Sequence, residues 1–305
     1  MRIGIVCGMD DSLPPEAQDA VLGWFDARGR SLPFRASSDP YGILVSEVMA
    51  QQTQISRVAD RWAVFMEAFP SVQVLAAAPV ADVLRAWRGL GYNRRALNLH
   101  RAARAIVVDH GGLVPSALAD LERLPGVGRY TARAVASLAF GAPVGPVDTN
   151  VRRVLQRVIA ADEPISPARL QCAADGVVPG ERPADWTHAL MDIGATVCRP
   201  ASPRCPECPL RPWCAFAARG TPVPARRRAR GVQPFPTTTR WVRGRIIDRL
   251  RDAAPGEWTR LDGAIGSHDA VAVDGAIGGL EREGLLERHC DDPRLLRLSG
   301  SEAAV

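Results

Sequence analysis

The stretch Leu124 to Asn150, LPGVGRYTARAVASLAFGAPVGPVDTN, decides how the chain is read. Gly126 and Gly128 flank Val127 between two helical patterns, and glycine lets the backbone take positive φ there and aim successive N–H groups outward. A helix beginning at about Arg129 adds the positive end of its dipole, so the turn becomes a seat for one phosphate. A Gly-Val-Gly alone also fits an ordinary helix–helix turn. Pro125 before it and Tyr130-Thr131-Ala132 after it favour the hairpin of a helix-hairpin-helix element. Asp148 then precedes a helix starting near Thr149, which predicts an N-cap. If the 129–140 helix folds back on the next one, that carboxylate is held beside the phosphate seat. It can then face the sugar of the gripped nucleotide, with Tyr130 and Asn150 lining the same mouth.

At 305 residues the chain has room for about two domains. The formal charge is +5, and all 38 basic residues are arginine. With no lysine there is no side-chain amine to form a Schiff base. Apolar runs such as 42–45 and 74–80 are too short to span a bilayer, and MRIGIVCGM lacks the apolar region of a signal peptide, so a cytoplasmic protein is expected.

Outward from the central stretch, helical patterns cover 16–28, 41–53, 54–68, 79–88, 94–109 and 117–123, and no strand is expected before about residue 220. Glu47 stands among Ile43, Leu44, Val45, Val48 and Met49, with Gln51 and Gln54 on its stripe. It is either part of a solvated polar stripe or a carboxylic acid whose pKa is raised by its apolar surroundings, fit to donate a proton near neutrality. The 94–109 helix, preceded by Leu90-Gly91-Tyr92, carries Arg94, Arg95, Arg101 and Arg104 as a charged face, and the Gly91-Tyr92 tip beside it could enter a duplex.

Cys198, Cys205, Cys208 and Cys214 cluster within 17 residues. Four thiolates hold either tetrahedral zinc or an iron–sulfur cluster, and one close Cys-x2-Cys pair with two distant outriders favours the cluster. Cys7, Cys172 and Cys290 are expected to be free thiols or buried apolar residues, since disulfides are not expected in a cytoplasmic chain. Residues 221–240 read as a Pro/Arg-rich linker with Arg226, Arg227, Arg228 and Arg230 in one run. Beyond it a separate unit at 241–300 is expected: a helix over 241–251, a short helix over 258–265, a longer one over 268–283 and a strand over 294–299. That order suggests a winged helix-turn-helix.

Seven motifs in order, LPFR (32–35), PYGILVSEVMAQQT (40–53), LGYNRRALNLH (90–100), LPGVGRYTA (124–132), VDTNVRRV (147–154), ALMDIGATVC (189–198) and the cysteine spacing, resemble those of the helix-hairpin-helix DNA glycosylases that carry an iron–sulfur cluster. Within that superfamily the chain most resembles the MutY-type adenine glycosylases. The resemblance implies a mainly α fold with a glycosylase module over 13–220. In it a six-helix barrel of about 31–147 faces a 4Fe–4S cluster domain of 13–30 and 148–220, and a small winged-helix-like domain follows. It implies a monomer that binds double-stranded DNA holding a mispaired or damaged base, associates with the bacterial nucleoid and flips the target nucleotide out. Glu47 would protonate the purine, Asp148 would stabilise the oxocarbenium-like sugar or bond to it transiently, and Tyr130 and Asn150 would support them. Arg35 and Asp192 match positions near the base pocket. Gln52 and Tyr92 match residues inserted into the helix, and Gln51, Leu90, Gly126, Val127 and Gly128 belong to the same DNA-binding set. The four clustered cysteines would be the cluster ligands.

Tyr130 stands where the bifunctional relatives carry a catalytic lysine, which together with the lysine-free composition implies hydrolysis without lyase activity. About 65 residues after Arg240 are too few for the Nudix-like domain that reads 8-oxoguanine in these enzymes. Adenine mispaired with 8-oxoguanine or guanine is the expected substrate. Uracil, thymine-mismatch or hypoxanthine removal by the same superfamily, and an iron–sulfur DNA-binding regulator, are the alternatives.

Overall fold

The computed structural model describes residues 12–220, 231 and 233–301. Among them the first two-thirds is helical: α1 Pro15–Arg28, α2 Pro40–Ala50, α3 Ile55–Ala68, α4 Val72–Ala77, α5 Val80–Ala86, α6 Arg94–Asp109, α7 Leu118–Arg123, α8 Arg129–Phe140, α9 Thr149–Ala160, α10 Pro167–Gly176, α11 Pro183–Asp192 and α12 Ala215–Arg219. After residue 233 come α13 Thr239–Asp252, β1 Thr259–Arg260, α14 Ala270–Glu283, β2 Leu286–Arg288 and β3 Leu295–Leu298. The three strands form one antiparallel sheet in the order β1-β3-β2.

The described residues fall into two compact units, with the boundary inside α2 between Glu47 and Val48. The first takes in 12–47, 116–123 and 127–220. Its core is Ala17 and Val21 of α1, Val154 and Leu155 of α9, Leu170 of α10, and Trp186 and Leu190 of α11. Helix α9 begins where predicted because Asp148 caps it: its Oδ1 accepts from the backbone N–H of Asn150 at 2.8 Å and of Val151 at 2.7 Å. After α11 the chain runs into one π-helical turn at 193–197. A Cβ on Gly194 would lie 2.5 Å from the Asn150 Cβ, so only glycine lets this turn approach α9.

The second unit takes in 48–115, 124–126, 231 and 233–301. Phe65 stacks tilted on Phe69 at 4.9 Å and edge-on to Trp87 at 5.8 Å, around which α3, α5 and α6 pack. The C-terminal residues are not a separate unit. α13 and β3 pack on α5, and the buried Arg251 guanidinium donates to Leu84 O at 2.7 Å and to Asn93 Oδ1 at 2.8 Å.

Three local expectations differ. Residues 258–265 are not a helix, because Thr259 and Arg260 pair with β3 and Gly263 follows at φ +81°. α2 stops at Ala50 rather than residue 53, since Gln52 takes φ +56°, and Gln54 becomes the N-cap position of α3. α4 was not foreseen; its start is set by Ser71, whose hydroxyl caps Val74 N. Most of the proline- and arginine-rich segment, residues 221–230 with its arginine run, lies outside the described residues, as does Cys7.

Candidate active site and nucleic-acid interface

α2 is apolar on nearly every side, and it carries Glu47 into that interior at 8% exposure. Burial pushes its carboxyl up to about 7; the Tyr130 hydroxyl, which donates to it, and Arg35 oppose the rise, and the Asp148 charge adds to it. Oε2 of Glu47 has no hydrogen-bond partner among the described residues. The Tyr130 phenol is itself held well above its ordinary value by burial and by Glu47 and Asp148, so it is a neutral donor. The structure thus brings Glu47, Tyr130 and Asp148 together in one unit, and the solvated-stripe alternative for Glu47 is excluded. Asp148 Oδ2 accepts from Asn150 Nδ2 at 3.1 Å, so the amide fixes the carboxylate that the helix start already grips.

Glu47 lines a cavity of about 210 Å³ with Arg35, Ser46 and His188. Among the described residues three buried polar atoms of this lining have no hydrogen-bond partner: Glu47 Oε2, Arg35 Nε and His188 Nδ1. Such atoms are unfavourable unless an ordered water or a ligand meets them. Burial pushes the His188 imidazole down to about 3, with Arg35 adding to the effect, so the ring is neutral. Sequence reading missed His188. It lies one helical turn before Asp192 on α11, and that i, i+4 spacing was the available signal.

Asp192 is 0% exposed, and its two oxygens are occupied by Arg35 at 2.8 Å each and by the Arg30 side chain and backbone at 2.7 and 2.8 Å. Burial acts to raise its pKa, but the hydrogen bonds from Arg35 and Arg30 outweigh that and hold it below the ordinary carboxylate range. Asp192 therefore orients Arg35 rather than meeting a ligand itself, and the pair is buried rather than a surface bridge.

In the hairpin Gly126 takes φ +80°, whereas Gly128 is the extended N-cap of α8 at φ −92°, because a residue entering a helix needs extended backbone rather than the left-handed region. Val127 is buried, so what it can offer a phosphate is its N–H. Gln51 Nε2 donates to Gly126 O at 3.4 Å.

Gln52 and Tyr92 are both non-glycine residues at positive φ, and Tyr92 is 38% exposed. Leu90, at the start of that tip, is buried. Arg95 was placed on a solvated face but is buried: its guanidinium donates to the carbonyls of Val48, Met49, Gln51, Leu90 and Gly91 and to Thr53 Oγ1, clamping the turn after α2 to the tip before α6. Most of its partners lie more than forty residues away, at the end of α2 and in the turn after it, which no sequence pattern announces.

The four clustered cysteines line one cavity with Val154, Val197 and Phe216. A tetrahedral zinc with Zn–S of about 2.3 Å brings its sulfurs within roughly 3.8 Å of one another. Among the described residues the one group of three possible ligands lying within 4.8 Å of one another is the half-buried His289 with the exposed Cys290 and Asp291. Burial pushes the Cys208 thiol up to about 12 and raises Cys198 and Cys214, so a bound metal would have to displace their protons. Arg157 Nη1 reaches Cys198 Sγ at 3.5 Å, and Arg153 joins Cys198 O at 2.6 Å to Asn150 Oδ1 at 2.8 Å. Cys172 is disulfide-bonded, against the free-thiol expectation.

A model described as the HhH-GPD superfamily base excision DNA repair protein matches residues 45–178. An adenine DNA glycosylase of Mycolicibacterium smegmatis is 43% identical over 89% of this chain and 92% of its own length. Among solved structures, a thermostable thymine-DNA glycosylase matches 67% of this chain and 97% of its own with a TM-score of 0.63 and 29% identity. A non-covalent endonuclease III–DNA complex matches 68% and 99% with a TM-score of 0.57 and 26% identity. Identity on this scale over nearly the whole of both chains means that the protein belongs to the adenine DNA glycosylase family, within the helix-hairpin-helix base-excision superfamily.

Proposed function

We propose that the protein is a monofunctional base-excision-repair glycosylase that binds double-stranded DNA, as a monomer in the bacterial cytoplasm, and releases adenine mispaired with 8-oxoguanine or guanine. The observation that carries this reading is the cavity in which Glu47 Oε2, Arg35 Nε and His188 Nδ1 all lack partners. A flipped purine offers ring nitrogens and an exocyclic amine to such groups. Glu47, protonated up to about pH 7, donates its proton to the imidazole ring of the base as the C1′–N9 bond breaks, and the bonding electrons leave with the base. The sugar left behind is oxocarbenium-like. Asp148 stabilises it, held in place by the α9 N-terminus and Asn150, until water supplies the hydroxyl at C1′. Tyr130 keeps Glu47 oriented through its hydroxyl.

The cavity that all four thiols line, together with their spacing in the sequence, supports a 4Fe–4S cluster held by Cys198, Cys205, Cys208 and Cys214. It would order the 198–214 loop; no step of base release runs through it. The helix–strand–helix–hairpin order after residue 239 supports a winged-helix-like module. No helix among the described residues is long and apolar enough to cross a membrane.

Without lysine, the product should be an intact strand with an abasic site. Incubation with a duplex holding adenine opposite 8-oxoguanine should give strand breaks only after alkali, and borohydride should trap no substantial adduct. Spontaneous breaks, or efficient trapping not traced to the N-terminal amine, would overturn the single-function reading.

A further inference from the structure

The Glu47 cavity lies wholly within the first unit, and its polar lining combines groups whose hydrogen-bonding sense is fixed with one whose sense is free. Glu47, when protonated, offers an O–H. Arg35 commits its two Nη groups to Asp192 and to Arg30 O, which leaves Nε–H as a donor without a partner among the described residues. Asp185 is held by the Arg182 guanidinium at 2.7 Å. His188 makes no hydrogen bond among the described residues, and its Nδ1 is buried without one.

What holds the His188 ring is stacking. Phe25 of α1 lies nearly parallel to it, with 20° between the planes and 6.3 Å between centroids, and the Arg35 guanidinium lies 5.9 Å from the same Phe25 ring. Stacking fixes the plane of an imidazole but not the place of its proton. In a neutral ring one nitrogen donates and the other accepts, and the tautomer is set by the hydrogen bonds the two nitrogens make. His188 is neutral and makes none, so an incoming ligand sets its tautomer.

Adenine and hypoxanthine, the product of adenine deamination, both carry acceptors at N3 and N7, which suit the two fixed donors, Arg35 Nε–H and the Glu47 carboxyl. At C6 their senses are reversed: the adenine amine donates and the hypoxanthine carbonyl accepts. Of the three partnerless groups only the imidazole can accept from the amine while Glu47 and Arg35 are donating. The same imidazole in its other tautomer donates to the carbonyl.

We propose that His188 meets the 6-substituent of the extruded purine without choosing between amine and carbonyl, so that this protein releases hypoxanthine from DNA as well as adenine. This rests on the reading of the Glu47 cavity as the base pocket and adds a second substrate to it. The chemistry is the same for both bases. The C1′–N9 bonding pair leaves with the base, N7 takes the Glu47 proton, and water adds to C1′ and returns its remaining proton to the carboxylate. No co-reactant besides water is needed.

The test measures single-turnover release by the full chain on duplexes holding adenine, hypoxanthine or 6-unsubstituted purine, each opposite guanine. The parent should release hypoxanthine within about tenfold of adenine, whereas a site whose donors and acceptors are fixed rejects the wrong partner by about 10⁴–10⁵-fold. His188→Phe keeps an aromatic ring against Phe25 and removes both nitrogens. It should slow adenine and hypoxanthine about tenfold each and leave the unsubstituted purine unchanged. His188→Gln, whose amide can turn either its oxygen or its NH2 to the base, should restore both. Equal slowing of all three bases in His188→Phe would assign the residue to packing and overturn the proposal. Adenine release with hypoxanthine left in place would overturn it too and leave the adenine reading standing. Release of neither base would overturn the base-pocket reading and the proposal with it.

Discussion

Glu47→Gln should make the protein more stable at alkaline pH while it stops releasing base. The folded-state carboxyl sits at about 7 against an ordinary value of 4.5. Between those values the folded protein binds a proton that the unfolded chain gives up, so stability falls as pH rises through that window and the loss is complete above about 7. At about 1.4 kcal/mol per pH unit the full loss is about 3 kcal/mol. Glutamine keeps an oxygen to accept from Tyr130 and has no charge to bury. At pH 5 the variant and parent should melt close together. At pH 8 the variant should lead by about 3 kcal/mol, roughly 6–12 °C in Tm for a unit of this size. Base release in single turnovers should fall by about 10²–10⁴-fold, the usual contribution of a general acid. The parent's rate should decline as pH rises past about 7, and the variant's residual rate should not follow that decline. Urea or thermal melts at the two pH values, with release measured on the same preparations, decide the matter. Equal stability of the two proteins at pH 8, or release by the variant at the parental rate, would refute the assignment of a buried, functional acid.

Other consequences are open to measurement. Asp148→Asn should abolish base release yet leave Tm within a few degrees, because asparagine caps a helix about as well as aspartate; loss of the fold would assign the residue to structure alone. Asp192→Ala strands Arg35 without its buried counter-charge and should lower unfolding free energy by about 3–5 kcal/mol in denaturant titrations; a change under about 1 kcal/mol would contradict the buried pair. Anaerobic purification should yield a brown protein with about four irons, and stoichiometric zinc instead would contradict the cluster assignment.

What could be read from the sequence was local. Asp148 announced itself because an N-cap is set by the residues just after it, and Glu47 because one acid stands out in an apolar run, although only its burial decided against a solvated stripe. The cysteine set and the Gly126 turn were legible for the same reason: the chemistry is written in short spacings. Arg95 was not, because its partners are backbone carbonyls about five and forty-five residues away, and on a helical wheel it looks like its solvated neighbours Arg94 and Arg101. His188 was missed because a lone histidine on a helix has no pattern of its own; only Asp192 one turn on marks its face. The misread 258–265 segment carries helix-compatible residues whose conformation is set by pairing with β3, a partner some 36 residues later. The joining of 233–301 with 48–115 depends on Arg251 reaching Leu84 and Asn93, which is likewise non-local.

The most direct test of the central claim is a single-turnover release assay on duplexes holding adenine, uracil, thymine or hypoxanthine, each opposite 8-oxoguanine and opposite guanine. The account predicts release of adenine from both pairings and none of uracil or thymine. Release of uracil, thymine or hypoxanthine with adenine left untouched would contradict it.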